Sequence, residues 1–503
     1  MSYADFPLLS LIMFTPLVGA VLLLFVSKPN TIRWVANGFA MLGFLVSLPL
    51  WFWLDTTGPD WQFVERHDWI PSIGAEYFLG VDGFSTLLIL LATLIGAIAV
   101  LSSWTAITER VKEYYIFLLL LQTGMIGAFV ALDFLLFFVF WEVMLVPMYF
   151  LIGIWGSANR LYSAIKFFLF TLVGSVIMLL GILAVYFYNY DITGVYTFDI
   201  TRFHELNMPF EYQWWVFLAF FLGFAVKVPM FPFHTWLPDA HTDAPTAGSV
   251  ILAAVLLKMG TYGFIRFSLP ILPEATLVFV PWVVGLSIVG IIYGALVAMA
   301  QSDWKRLVAY SSVSHMGFVL LGIATLNLTG MTGAVLQMFS HGVIGALLFA
   351  LVGTVIYSRT KTRMLDELHR LIDRMPGIAW VFIVAGLASM GLPGFSGFIS
   401  ELYVLIGTWE SESLSGWIVA GAGLGILLTF GYTLVKIHEA FFRERKTSDP
   451  GDAEISYPAM TLPEKIGVAI LLGSALLIGL CPWLLTDKIS PSLELMLERF
   501  PPN

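Results

Sequence analysis

Stretches such as STLLILLATLIGAIAVL, residues 85–101, recur along this chain. Each is a run of about 20 apolar residues, the length an α-helix needs to cross a hydrocarbon core about 30 Å thick. In lipid the backbone must satisfy its own hydrogen bonds, so runs of this kind fold as helices. Fourteen are expected, centred near residues 17, 43, 95, 122, 143, 175, 225, 258, 288, 314, 344, 392, 428 and 474. Composition agrees: 59% of the 503 residues are hydrophobic and 12% charged, with a mean hydropathy of +0.87. Such a chain uses lipid as its solvent.

The first run lacks a basic leader and a small-residue cleavage site, so it reads as a retained helix and not as a signal peptide. The loops then set the orientation. With the N-terminus outside, 18 of the 25 Lys and Arg residues fall in inside loops. Arg66, Arg202, Arg266, Lys488 and Arg499 fall outside, and Lys227 and Lys258 lie within spans. That bias is the one that orients membrane proteins, and it places both termini outward. The loops at 55–83, 188–213 and 446–463 are too short for separate domains. A net charge of −9 argues against nucleic acid, and one cysteine, Cys481, read as a packing residue, excludes disulfides and cysteine-held clusters. The 42 Phe and 17 Trp fit lipid-facing belts.

An ionisable side chain in the bilayer core costs several kcal/mol unless paired or hydrated, so each is a functional candidate. Glu142, Lys227, Lys258, His315 and His341 lie well inside apolar runs. Glu401 follows a break in the twelfth. At a rise of about 1.5 Å per residue, the first five lie about 12–20 Å from the starts of their spans. They describe a line along the membrane plane. Plainer readings stand beside this one: a static Glu142–Lys227 pair, packing histidines, a snorkelling Lys258, an interfacial Glu401.

Two spans carry breaks. In FFLGFAVKVPMFPFHTWLPDAH, Pro229 and Pro232 follow Lys227 and free backbone carbonyls beside it. Irregular backbone at that depth survives only inside protein or beside water, so a hydrated pocket at Lys227 is expected. GLPGFSGF, residues 391–398, repeats the device before Glu401. Span 7 is fourth of spans 4–8, and span 12 is fourth of spans 9–13. Five-span sets must be oppositely oriented, the pattern of inverted repeats with discontinuous helices around a midplane site. The expected fold is an all-α polytopic membrane protein with four regions. These are N-terminal helices (1–112), a first repeat (113–272), an inverted second repeat (273–445), and an inside loop with a last helix (446–503).

The segment VKVPMFPFHTWLPDAHTDAPTAGSVILAAVLLKMGTYGFIR resembles the signature of the antiporter-like subunits of respiratory complex I. That family also includes multisubunit sodium/proton antiporters and membrane-bound hydrogenase arms. DWKRLVAYSSVSHMGFVLLG is similar to its second repeat, and the resemblance covers roughly residues 113–440. Chain L of complex I normally adds a long lateral helix and chain N carries lysine where this sequence has Glu401, so neither fits.

The resemblance implies that Glu142 and Lys227 form a pair sensing neighbouring subunits. It makes Lys258 the central proton carrier, His315 and His341 the onward link through water, and Glu401 the terminal relay toward the outside. His234, Asp239 and His241 would assist proton uptake from the inside. It further implies a bacterial inner-membrane location beside other membrane-arm subunits, chains L and N among them. No metal, dinucleotide, haem or cluster motif is present in the sequence. By the resemblance this chain holds no cofactor, while FMN, iron–sulfur clusters and quinone belong to other parts of the complex. The alternatives are a secondary sodium/proton antiporter subunit, a hydrogenase arm, and a structural spacer whose buried charges only pin helices.

Overall fold

The computed structural model describes residues 6–444 and 456–500. Arg445, Lys446 and the boundary expected at 445/446 lie outside the described residues. Each expected centre falls on a helix except 392, which falls in a break between Pro376–Ser389 and Ser396–Glu410. Among the described residues, eleven helices are long and apolar enough to cross a membrane, and Leu8–Leu24 and Pro376–Ser389 are shorter apolar helices.

The starts follow from local chemistry. The first amides of a helix have no intrahelical partner, and a short polar side chain just ahead of the apolar run supplies one. Asp82 accepts from the Ser85 amide at 2.8 Å, Asp133 from Leu136 at 2.9 Å and Asn327 from Gly330 at 2.8 Å. Asp303 accepts from Lys305 at 2.8 Å.

Burial sorts the helices into centre and periphery. Thr246–Ile271 is buried throughout its apolar window, whereas Pro29–Trp53 and Gly416–Phe442 have 28% of theirs buried. Lipid tails are as apolar as leucine, so an outer helix presents apolar residues to them, such as Leu45, Trp417 and Leu427. The central helices, Thr246–Ile271, Trp304–Ala324 and Leu328–Thr360, carry Lys258, His315 and His341. Close approach brings two of them together: a Cβ on Gly342 would sit 3.0 Å from the Ala254 carbonyl oxygen.

Both breaks are present. Phe210–Lys227 ends and Trp236–Asp243 begins nine residues later. In the second break Gly391 and Gly394 have φ of +77° and +101°, backbone that glycine adopts without strain. The Thr246–Ile271 helix is also irregular: Leu252–Leu256 and Phe264–Ser268 are π-helical turns, a feature often found beside functional groups.

Three features differ from the all-α expectation. The loop after Trp53 folds as an antiparallel hairpin, Gln62–Ile70 with Ala75–Val81. A further helix, Trp483–Leu497, follows Leu462–Leu480, and its Lys488 donates to the Leu54 carbonyl at 2.7 Å. Arg266 does not lie in a loop. It is 1% exposed, two turns beyond Lys258 on a helix that runs to Ile271. Ending the span early left that residue outside, because loop counting reads charge as surface. Cys481 is half-buried and caps the Leu462–Leu480 helix.

Candidate functional site

The π-turn at Leu252–Leu256 sets the geometry at Lys258. Its ammonium, 0% exposed, donates to the Ala253 carbonyl at 2.6 Å. His341 Nδ1 lies 2.6 Å from the same nitrogen. An ammonium has no lone pair, so beside a charged Lys258 the His341 Nδ1 must accept and its proton sits on Nε2. If Lys258 is neutral, its lone pair can also accept from a protonated Nδ1, so the same contact can run in either direction. The pair therefore accommodates a proton on either side of one hydrogen bond.

The next stations follow. The rings of His341 and His315 have centroids 5.7 Å apart with no direct hydrogen bond between them among the described residues, a gap that one water can bridge. His315 Nδ1 is 3.1 Å from Glu401 Oε1, while its Nε2 has no protein partner. Gln337, one helical turn before His341, donates to the same Glu401 oxygen at 3.3 Å and accepts from Ser400 Oγ. A cavity of about 10 Å³ touches both histidines, Gln337 and Glu401. A Cβ on Gly391 would stand 3.1 Å from Glu401 Oε2, so the second break admits the carboxylate. Glu401 is 5% exposed.

Glu142 and Lys227 are not in ion contact. Lys227 stands over the Trp141 ring at 4.9 Å, and neither its ammonium nor Glu142 Oε1 has a hydrogen-bond partner among the described residues. The Val226 carbonyl freed by the break takes the Trp236 indole N–H at 2.9 Å, and Lys227 is 2% exposed. Trp141 in turn donates to Ser175 Oγ at 2.9 Å.

At the end of the molecule rich in Lys and Arg, Asp239 pairs with Lys166 at 2.7 Å and Arg306 at 3.4 Å. His241 is fully buried against the Phe349 ring, centroids 4.4 Å apart, and neither ring nitrogen has a protein partner. Lys305, also buried, donates to the Ala244 carbonyl at 2.6 Å. His234 is buried between Phe231 and Tyr293. The structure thus joins Lys258, His341, His315 and Glu401 into one line, and places His234, Asp239 and His241 apart from it.

At the hairpin end, Arg266 donates to Asp82 and Ser85 Oγ, both at 2.8 Å, and lies under the Trp61 ring. The signal was the apolar run continuing to Ile271. A cleft of about 420 Å³ opens over this pair, lined also by His204 and Arg499. Burial first, then the charges of Arg266 and Arg499, push the His204 imidazole down from 6.5 to about 3, so it is neutral. Gln337, Ser400 and Lys305 were missed because a polar uncharged residue, or a lysine near a helix start, is unremarkable in sequence.

Residues 131–427, which hold every polar station from Glu142 to Glu401, match the NADH:quinone oxidoreductase/Mrp antiporter transmembrane family. NADH-quinone oxidoreductase subunit M of Rhodobacter capsulatus is 44% identical over 98% of this chain and 97% of its own length. This chain belongs to the NADH:quinone oxidoreductase/Mrp antiporter family. A second member, subunit M of Pseudomonas aeruginosa, is 40% identical over 92% of this chain and 91% of its own. A chain of respiratory complex I from Thermus thermophilus superimposes with a TM-score of 0.87 at 29% identity, over 97% of this chain and 99% of that one. A chain of the Mrp complex from Dietzia shares the fold, with a TM-score of 0.84 at 22% identity over 99% and 98%. Among the described residues of this family member, no three His, Cys, Asp or Glu side chains are grouped to hold a metal ion.

Proposed function

We propose that this chain is the M subunit of a NADH–quinone oxidoreductase and moves protons across the inner membrane of a bacterium. Oxidation of NADH and reduction of quinone, with their FMN and iron–sulfur clusters, occur in other subunits. The observation that carries this is the buried line from Lys258 through His341 and His315 to Glu401, with hydrogen bonds joining Lys258 to His341 and His315 to Glu401 and the two imidazole centroids 5.7 Å apart. Relatives over 90% of the chain carry the subunit M name. Ten of the fourteen spans, in two inverted sets of five within 113–272 and 273–445, give the line its symmetry, since the two breaks occupy matching fourth places. The Lys- and Arg-rich end faces the cytoplasm, and both termini face outward.

His241 and Asp239 lie on the inner approach to Lys258, with His234 beside the first break. Glu401 passes the proton outward. Glu142 and Lys227 act on Lys258 at a distance. A unit charge moved at about 6 Å, with an effective dielectric near 20, changes a neighbour's energy by about 3 kcal/mol. The membrane field acts on one charge with about 2.3 kcal/mol per 100 mV, so such a switch is of the right size. Glu142 is half-buried beside the exposed Val143 and Val146, an apolar face with one carboxylate that suits a neighbouring antiporter-like subunit, chain L or N.

In inverted membrane vesicles at normal assembly, NADH-driven proton uptake is expected to persist when sodium is removed. Dependence on sodium would instead assign the chain to cation exchange. The pair has its own test. Glu142→Gln with Lys227→Met leaves no unpaired buried charge, yet proton uptake should fall several-fold with fold and assembly intact. Full pumping by that double variant would mean that the two charges only pin helices.

A further inference from the structure

A second cavity, of about 30 Å³ and lined by Trp304, Leu307 and Lys436, lies toward the Lys- and Arg-rich end from the first. The two share Val308, Ser311, Leu348 and Ser389 as common walls. Space of this size holds a water molecule where polar partners are present. Here they are present. Tyr432 lines this cavity and is 2% exposed; among the described residues its hydroxyl makes no well-formed hydrogen bond, although the hydroxyls of Thr429, Ser311 and Thr433 lie beside it. Buried hydroxyls are nearly always hydrogen-bonded, so one without a well-formed bond beside a water-sized space marks a water site. Ser311 donates to the Val308 carbonyl at 2.8 Å and keeps its own oxygen free to accept.

The far wall of the cavity is Lys436, in the last turn of Gly416–Ile437. Its ammonium pairs with Glu439 at 3.0 Å, and both side chains retain some exposure, 14% and 28%. Polar groups therefore run from that surface pair through Tyr432 and the Ser311–Ser389 wall to His315 and Glu401. None of them lies on the path through His241 and Lys258.

We propose that the second repeat has its own water-filled inlet from the cytoplasmic side, passing Lys436–Glu439 and Tyr432 and reaching His315–Glu401 without crossing Lys258. A proton arriving at Glu439 moves by exchange of O–H bonds along water, and Glu401 receives it; no other bond changes. This inlet rests on the proton-translocating reading, but water access can be measured apart from pumping.

The test uses the assembled complex in inverted vesicles, whose cytoplasmic face is outermost. In a Cys481→Ser background, Ser389→Cys is the only thiol of this chain. Silver ion, small enough to follow water, is added from the cytoplasmic side. Its protection of that thiol from later N-ethylmaleimide alkylation is read from the mass of the isolated chain. Silver should protect the thiol, and Thr433→Ile, which places a methyl group in the second cavity alone, should slow protection roughly tenfold. Tyr432→Trp is the second block, should Thr433→Ile fail to assemble. A thiol that silver does not reach, or protection at an unchanged rate in an assembled block variant, overturns the inlet. Loss of the inlet with pumping still dependent on Lys258 would leave the proton-translocating reading standing.

Discussion

Lys258→Met in an assembled complex is expected to abolish proton uptake and to lower NADH–quinone turnover with it. Methionine is the informative replacement because it keeps the volume of a fully buried stem, whereas alanine adds a cavity with its own cost of about 2–5 kcal/mol. What methionine removes is the group that donates to Ala253 and shares a proton with His341. A positioned proton carrier contributes about 10²–10⁴-fold to a transfer step, so the residual flux should be near background. Turnover should fall too, because redox work that cannot move its proton stalls against the membrane field. The measurement is acidification of inverted vesicles beside NADH oxidation, with assembly checked on a native gel. If both rates survive, the buried line is structural and the proposed mechanism is wrong.

The second large effect is on assembly. Arg266→Met leaves Asp82 as a buried carboxylate without its guanidinium, facing Ser85 and the Trp61–Phe84 aromatic wall. Breaking a buried pair from one side costs about 3–5 kcal/mol, because the remaining charge stays desolvated. The yield of assembled complex, or its thermal midpoint, should drop sharply. Asp82→Asn together with Arg266→Met should recover most of it, since no unpaired charge remains. Equal loss in the single and double variants would show that the two side chains matter separately and not as a pair. The Asp82 carboxylate also caps its helix through the Ser85 amide, so asparagine is the right partner: it retains that acceptor.

The breaks illustrate how far local chemistry reaches. Two prolines after Lys227 and two positive-φ glycines before Glu401 guarantee interrupted helices wherever these segments lie. What receives the freed groups is another matter. One of them, the Val226 carbonyl, takes the Trp236 indole N–H. A tryptophan ten residues after the carbonyl it satisfies reaches it only because the chain reverses between two half-helices.

The sequence by itself determined which segments are apolar enough to cross lipid and where two helices fail. These are properties of one segment at a time, set by length, hydropathy and backbone donors. The tertiary structure alone decided the partners. It put His341 on Lys258 and Glu401 on His315, kept Glu142 out of ion contact with Lys227, and drew Arg266 inward to Asp82. In a water-soluble helix an apolar stripe reveals which face turns inward. In these helices the lipid-facing and protein-facing sides are equally apolar, so the sequence holds little record of rotation about the axis. Contact between side chains depends on that rotation, and packing fixes it.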